Sequence, residues 1–332
     1  RYPPRSVCSV SLKDPYLKDV TSHYFPANQV TIEIDPQVDK KYICLGVFTL
    51  EGCMPIDITV QKGNKATFMN VEPGILFQPL YDNGMKWVAA GYPFLVDEKG
   101  EVKYHKPDCA VKGSMDLSRK FLLRQYLKDY LSAVVGDKIE GANHSDFSDE
   151  DTLFIIQSKP DRLNTTVKCW SDKEYRYLRY IGRPKAHCNV SAVAFYEKND
   201  TVALTGKIIG TPEHEKQNGD HDYTNVFDGK TWTSFDYSKP TGGWAGLDLG
   251  KEVKVDRIFY TPRNRDNYVR PGDVYELFYC ERDWQSAGTI KATADSLVFR
   301  NIPENALLLL RNHTRGKDER IFVYENGEQQ WR

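Results

Sequence analysis

Apolar and polar residues alternate over much of the chain with the period of a β-strand. Val30-Thr31-Ile32-Glu33-Ile34 and Ile56-Asp57-Ile58-Thr59-Val60 place an apolar side chain at every second position, as a strand with one buried face requires. Tyr42-Ile43-Cys44-Leu45-Gly46-Val47-Phe48 is apolar almost throughout, which predicts a strand covered on both faces. Ala66–Met69 and Gly74–Tyr81 continue the pattern, and Lys86–Ala90 returns after Asp82-Asn83-Gly84. Asn-Gly tolerates positive φ at both central positions, so a type I′ hairpin turn is expected there. With turn signals at Lys62-Gly63-Asn64 and Asp97–Gly100, residues 23–112 read as a small β-sandwich.

The period changes once. Leu122, Leu123, Tyr126, Leu127, Tyr130, Leu131, Val134 and Val135 recur at spacings of three and four, and Gly136 follows. That is one apolar face of a helix over 121–135 with a stop signal behind it. The stripe suits packing on a sandwich, with a partner helix as the alternative. Strand patterns resume over 152–156, 166–170, 175–180 and 190–196, pause at the polar Glu197-Lys198-Asn199-Asp200, and continue over 246–250, 256–260, 275–279 and 306–311. The opening residues, with Pro3, Pro4 and Pro15 and no period, read as a linker or a strand added to a sheet edge. The expected chain is therefore all-β: 1–22 linker or edge strand, 23–112 sandwich, 113–200 sandwich with a leading helix, 201–332 sandwich.

Charge narrows the partners. The 45 basic residues balance 46 acidic ones, for a net charge of −1, so no field attracts nucleic acid or an anionic membrane, and neither is expected as a partner. No apolar run reaches the about 20 residues of a membrane helix, so membrane insertion is not expected. Tyrosine accounts for 20 of the aromatic residues, which suits pleated, half-buried surfaces and also stacking against sugar rings. The chain opens at Arg1 without Met or an export-signal pattern, so a removed leader or a piece of a longer chain is expected.

Candidate chemistry is sparse. The seven cysteines (Cys8, Cys44, Cys53, Cys109, Cys169, Cys188 and Cys280) contain no CxxC pair, which argues against a zinc site or a dense disulfide framework. Buried thiols are expected, with a Cys44–Cys53 bridge left open by the spacing. His187 and Cys188 are neighbours on a strand pattern and face opposite ways. His214-Glu215 starts an HExxH pattern that Asn218 breaks, and Asp220-His221-Asp222 lacks the glycine and distal glutamate of an EF-hand. A non-enzymatic chain is the expectation.

Four late segments carry a family likeness. They are Asn225-Val226-Phe227-Asp228-Gly229 with Thr231 and Ser234-Phe235, then Trp244–Gly250, then Ile258-Phe259-Tyr260-Thr261-Pro262-Arg263-Asn264, then Tyr275–Tyr279. In order and spacing, 201–332 resembles a discoidin (F5/8 type C, family 32 carbohydrate-binding) module of the galactose-binding-like jelly-roll type. Tyr175–Tyr180 and Cys188–Tyr196 resemble the closing strands of the same fold. Tyr42–Phe48, Gly91–Leu95 and Glu319–Gly327 are similar to the non-catalytic C-terminal region of secreted bacterial proteins with a transglutaminase-like domain. The resemblance implies an exported protein, a glycan partner, and an upstream catalytic domain that the modules would target to it.

Carried over residue by residue, the family's binding arginine falls on Arg263 and its downstream asparagine on Asn267, while Asp236 stands where the family has histidine. Tyr237 and Tyr268 are the nearby aromatic candidates, and Trp244 falls on a core strand position. The resemblance also implies a structural calcium in the last module, held by Asp228, Thr233 and Glu319; in the middle module the calcium-linked glutamate position is Ala192, so no metal is expected there. Three alternatives stay open: Arg263 in a salt bridge and Asp228 capping a turn; modules that space a catalytic domain without a ligand; and an enzyme with an unrecognised site.

Overall fold

In a computed structural model of the chain, residues 8–11, 14–19, 29–49, 52–119, 130–211, 221–316 and 320–332 are described, with backbone alone for 8–19 and 130. The protein is nearly all β, built of antiparallel sheets. Two compact units divide it, one made of Arg1–Phe121 with Pro271–Arg332 and the other of Leu122–Arg270.

The first unit opens with β1 (Cys8–Ser11) and β2 (Asp14–Asp19), which pair with each other as a hairpin. β3 (Gln29–Glu33) pairs with β6 (Lys65–Met69). β4 (Tyr42–Thr49), β5 (Gly52–Val60), β7 (Phe77–Asp82), β9 (Phe94–Val96) and β10 (Val102–Tyr104) form a sheet in the order β10-β9-β7-β4-β5, with β8 (Trp87–Ala89) added on β7. The alternation in β3 does what it predicts: Val30 and Ile32 enter a core with Ile43, Leu45, Phe68, Phe77 and Phe94.

Two local expectations change. Asp82 pairs with Trp87, so the β7–β8 loop has four residues, and of Asn83 and Gly84 only Gly84 takes a positive φ (+89°). Asn83 Oδ1 instead accepts the N–H groups of Met85 and Lys86 at 2.9 Å each, which stabilises the longer loop. Cys44 and Cys53 are free thiols: the hairpin register sets Cys44 opposite Ile58 and Cys53 opposite Phe48, so the two do not face each other.

β11 (Asp108–Leu117) ends this stretch. The helix expected over 121–135 lies largely outside the described residues; its described end, Tyr130–Val134, is a short 3-10 helix that buries Leu131 and Val134.

The second unit is a sandwich. β12 (Lys138–Ala142), β13 (Asp151–Ile155), β15 (Glu174–Ile181), β17 (Lys207–Gly210) and β18 (Trp244–Lys254) form one sheet in the order β13-β12-β15-β18-β17. β14 (Thr165–Lys168), β16 (Val190–Tyr196) and β19 (Arg257–Pro262) form the other in the order β14-β19-β16. Ile139, Leu178, Tyr180 and Leu247 from the first sheet meet Val193, Phe195 and Ile258 from the second in one core. The expected boundary at 200/201 therefore falls inside this unit, where β15 pairs with β18 and β16 with β19. Strands from both halves contribute to one core, so the two stretches read as separate modules make one sandwich.

After Pro271 the chain belongs to the first unit again. β20 (Val274–Cys280), β21 (Trp284–Lys291), β23 (Leu307–Asn312), β24 (Ile321–Glu325) and β25 (Glu328–Trp331) form a sheet in the order β21-β20-β23-β24-β25, while β22 (Leu297–Glu304) pairs with β11. Cys280, Leu307 and Val323 pack with Leu76, which joins this sheet to the early part of the unit. The type I′ geometry absent at Asn83-Gly84 occurs here: Asn326 and Gly327 (φ 53° and 80°) close the β24–β25 hairpin between Glu325 and Glu328.

Candidate functional site

The loop residues singled out by the resemblance lie at one end of the 122–270 sandwich. Phe235 N–H donates to Val190 O (2.8 Å) and Arg263 N–H to Asn189 O (3.1 Å), so the start of β16 positions both Asp236 and Arg263. The Arg263 guanidinium forms an ion pair with the Asp236 carboxylate, which also accepts Asn189 Nδ2 at 3.0 Å. Arg263 is only 9% exposed. Its charge is spent on Asp236 and largely withdrawn from solvent.

The aromatic candidates follow the same trend. Tyr237 is 8% exposed and packs in the main core beside Phe235, with ring centroids 6.2 Å apart, while Tyr268 is half-buried. Asn267 is buried, and its Oδ1 has no hydrogen-bond partner among the described residues. Neighbouring charges are paired internally: Arg270 donates to Asp266 (3.1 Å from Nε) and lies 3.7 Å over the Trp232 ring. The structure thus brings Asp236 and Arg263 together and buries Tyr237 and Asn267 at the same end.

The expected calcium ligands part company. Asp222 caps the 3-10 helix Tyr223–Phe227, and Asp228 ends it before Gly229, which needs its positive φ of +76°. Asp228 Oδ1 accepts Lys230 N–H at 2.8 Å, and Thr233 Oγ1 donates to both carboxylate oxygens at 3.1 and 3.0 Å. The carboxylate closes its own turn in this way. Glu319 lies outside the described residues, as do His214, Glu215, Asn218 and Asp220. No cluster of three metal-binding side chains occurs among the described residues.

Five of the cysteines offer little nucleophilicity. Burial pushes the Cys53 and Cys280 thiols up to about 12 and raises those of Cys44, Cys169 and Cys188. Such thiols stay protonated at neutral pH, and the thiolate is the reactive form. In the interior of the 122–270 unit, Asp137 accepts Tyr180 Oη at 2.5 Å and Arg183 N–H at 2.8 Å, a structural link between β12 and β15.

A second site, not anticipated from sequence, lies on the outer face of the five-stranded sheet. Side chains alternate along strands, so when Leu178, Ala245 and Leu247 enter the core, Arg179, Trp244 and Asp248 point outward. A bulge between Tyr175 and Tyr177 turns Tyr177 outward too. Phe147, held at φ +57° in the β12–β13 connection, meets Tyr177 and Trp244 edge-on, with centroids 6.3 and 5.6 Å apart. Arg179 lies 4.1 Å over the Phe147 ring while donating to Glu140 at 2.8 and 2.6 Å.

Beside this cluster is an open depression of about 400 Å³, lined by Ser145, Tyr177, Lys207, Ile208, Ile209, Gly210, Tyr223, Trp244 and Asp248. Gly210 lets Tyr223 close in, since a Cβ there would stand 2.4 Å from the Tyr223 ring. Asp248 is clamped by Arg176 through two hydrogen bonds (2.8 and 3.1 Å), and that guanidinium holds its carboxyl below the usual range. Trp244, expected in the core, is half-buried and lines the depression instead. The signal was present in the alternation of Trp244-Ala245-Gly246-Leu247-Asp248: once Ala245 and Leu247 are core, Trp244 and Asp248 share the other face.

Aromatic surface beside hydroxyl, amine and carboxylate groups is chemically suited to a ligand with both an apolar face and polar edges. Comparison with known proteins finds no matching family model, no matching curated protein and no matching solved structure.

Proposed function

We propose that the 122–270 unit is a non-catalytic carbohydrate-binding module whose site is the depression on the outer face of the five-stranded sheet. The observation that carries this reading is the meeting of three aromatic residues, Tyr177, Tyr223 and Trp244, with a polar rim of Ser145, Lys207 and Asp248. A pyranose ring has an apolar C–H face that stacks on aromatic surface and a rim of hydroxyls that polar side chains take. Within this unit the raised thiols of Cys169 and Cys188 support a binding role over a nucleophilic one. The discoidin-like segments support a galactose-binding-like fold, with the loop end serving as a closed, ion-paired cap rather than as the sugar contact. In this reading the module holds glycan close to a catalytic domain attached to it or adjacent, raising that domain's local substrate concentration.

The test is a glycan array on the full chain followed by calorimetric titration of the hits. Trp244→Ala and Tyr223→Ala, each checked for an unchanged unfolding midpoint, are expected to lose binding at least tenfold. Absence of any hit, or undiminished binding by folded Trp244→Ala, overturns the reading.

A further inference from the structure

The charges around the depression point to the kind of sugar it takes. The charges nearest the depression are Lys207, Arg176 and Arg179 against Asp248 and Glu140. Arg179 is committed to Glu140, and Arg176 to Asp248. Lys207 stands directly opposite Asp248 in the β17–β18 register, yet Arg176 takes both carboxylate oxygens. A planar guanidinium matches a carboxylate bidentately where an ammonium does not. Lys207 is thus left exposed, with no ion pair or hydrogen bond among the described residues, on the wall of an aromatic-lined depression.

The acids of the nearby turn make no ion pair with it. Asp146 accepts the Ser148 N–H and hydroxyl, Asp149 accepts the N–H groups of Asn143 and His144, and neither lines the depression. The lining therefore offers, beside ring-stacking surface, an exposed ammonium whose neighbouring carboxylate is already taken bidentately by Arg176.

We infer that the ligand is an anionic glycan, carrying a carboxylate or sulfate that Lys207 takes while Trp244 or Tyr223 stacks on a ring of the same chain. The inference rests on the carbohydrate-binding reading. An exposed ammonium–anion contact adds about fivefold in affinity and weakens with salt.

The experiment titrates the full chain with tetragalacturonate, its fully methyl-esterified form, and a sulfated galactan oligosaccharide beside the neutral one, at low and high sodium chloride. The expected result is that each acidic ligand binds about fivefold tighter than its neutral partner at low salt. Lys207→Gln should erase that difference, so that each acidic ligand binds no more tightly than its neutral partner. A carboxylate preference without a sulfate preference, or the reverse, identifies which anion is recognised. Equal affinity for acidic and neutral ligands, or a preference that survives Lys207→Gln, overturns the inference while leaving sugar binding intact. If none of the four binds, the anionic-ligand assignment falls, and the array result decides separately whether sugar binding falls with it.

Discussion

The Asp236–Arg263 pair separates a binding end of the sandwich from a structural one, and its removal has a calculable cost. Truncating one member of a fully buried ion pair leaves an uncompensated charge and costs about 3–5 kcal/mol. Here the side chains retain 11% (Arg263) and 27% (Asp236) exposure, so water screens part of that penalty. Arg263→Ala leaves the more exposed partner, which still accepts Asn189 Nδ2 at 3.0 Å; a loss of about 2 kcal/mol is expected. Asp236→Ala strands the better-buried guanidinium and releases Asn189, so about 3 kcal/mol is expected. The double variant should lose less than the sum, because the second truncation removes the stranded charge left by the first. Urea unfolding followed by tryptophan fluorescence reads these values, with unchanged m confirming that the unfolding surface is the same. Because the chain has two compact units, the transition analysed must be that of the 122–270 unit. If Arg263→Ala stays within about 0.5 kcal/mol of the parent and abolishes glycan binding, the structural assignment is wrong and Arg263 returns to the ligand site.

Three other outcomes follow from the same geometry. His105 is buried, and burial together with Arg332 and Lys103 pushes its imidazole down to about 4. The folded state then binds this proton later than the unfolded one, so stability should fall as pH drops from about 6.5 toward 4, by on the order of 3 kcal/mol; urea midpoints across that window should lose this slope in His105→Gln, and an unaltered slope would refute it. Gly246→Ala would place a Cβ 2.3 Å from Leu178 O, a backbone atom between paired strands. A cost of about 1–3 kcal/mol is expected by thermal melting, and a neutral effect would show that the β15–β18 spacing gives way. Asp228→Ala should cost about 1 kcal/mol through its turn, with parent melting unmoved by calcium or chelator; a calcium-dependent rise of several degrees would return Asp228 to metal binding.

The strands themselves were largely legible. The alternation in Val30–Ile34 and the apolar run in Tyr42–Phe48 depend on neighbours in sequence, and both segments are strands. Less legible were strands with weak patterns: β21, mostly exposed, and β22, whose partner β11 lies far away in sequence. The helix face at 121–135 rests on an equally local period, and its described end is a 3-10 turn. Arg263 and Asp236 were singled out from sequence, but whether the arginine points to a sugar or to the aspartate depends on a contact across 27 residues.

The sequence alone determined that this chain is built from β-strands, because the two-residue alternation of side chains is a local property of extended backbone. It also marked which residues carry charge and aromatic surface. Only the tertiary structure decided which strands cover each other. β15 finds β18 across the stretch expected to separate two modules, and the segment after Pro271 joins the unit begun by residues 1–121. Pairing and burial are choices among distant segments with similar patterns, and the winning partner is the one whose apolar face completes a core. That choice turned Trp244 outward, paired Arg176 with Asp248, and left Lys207 open beside them.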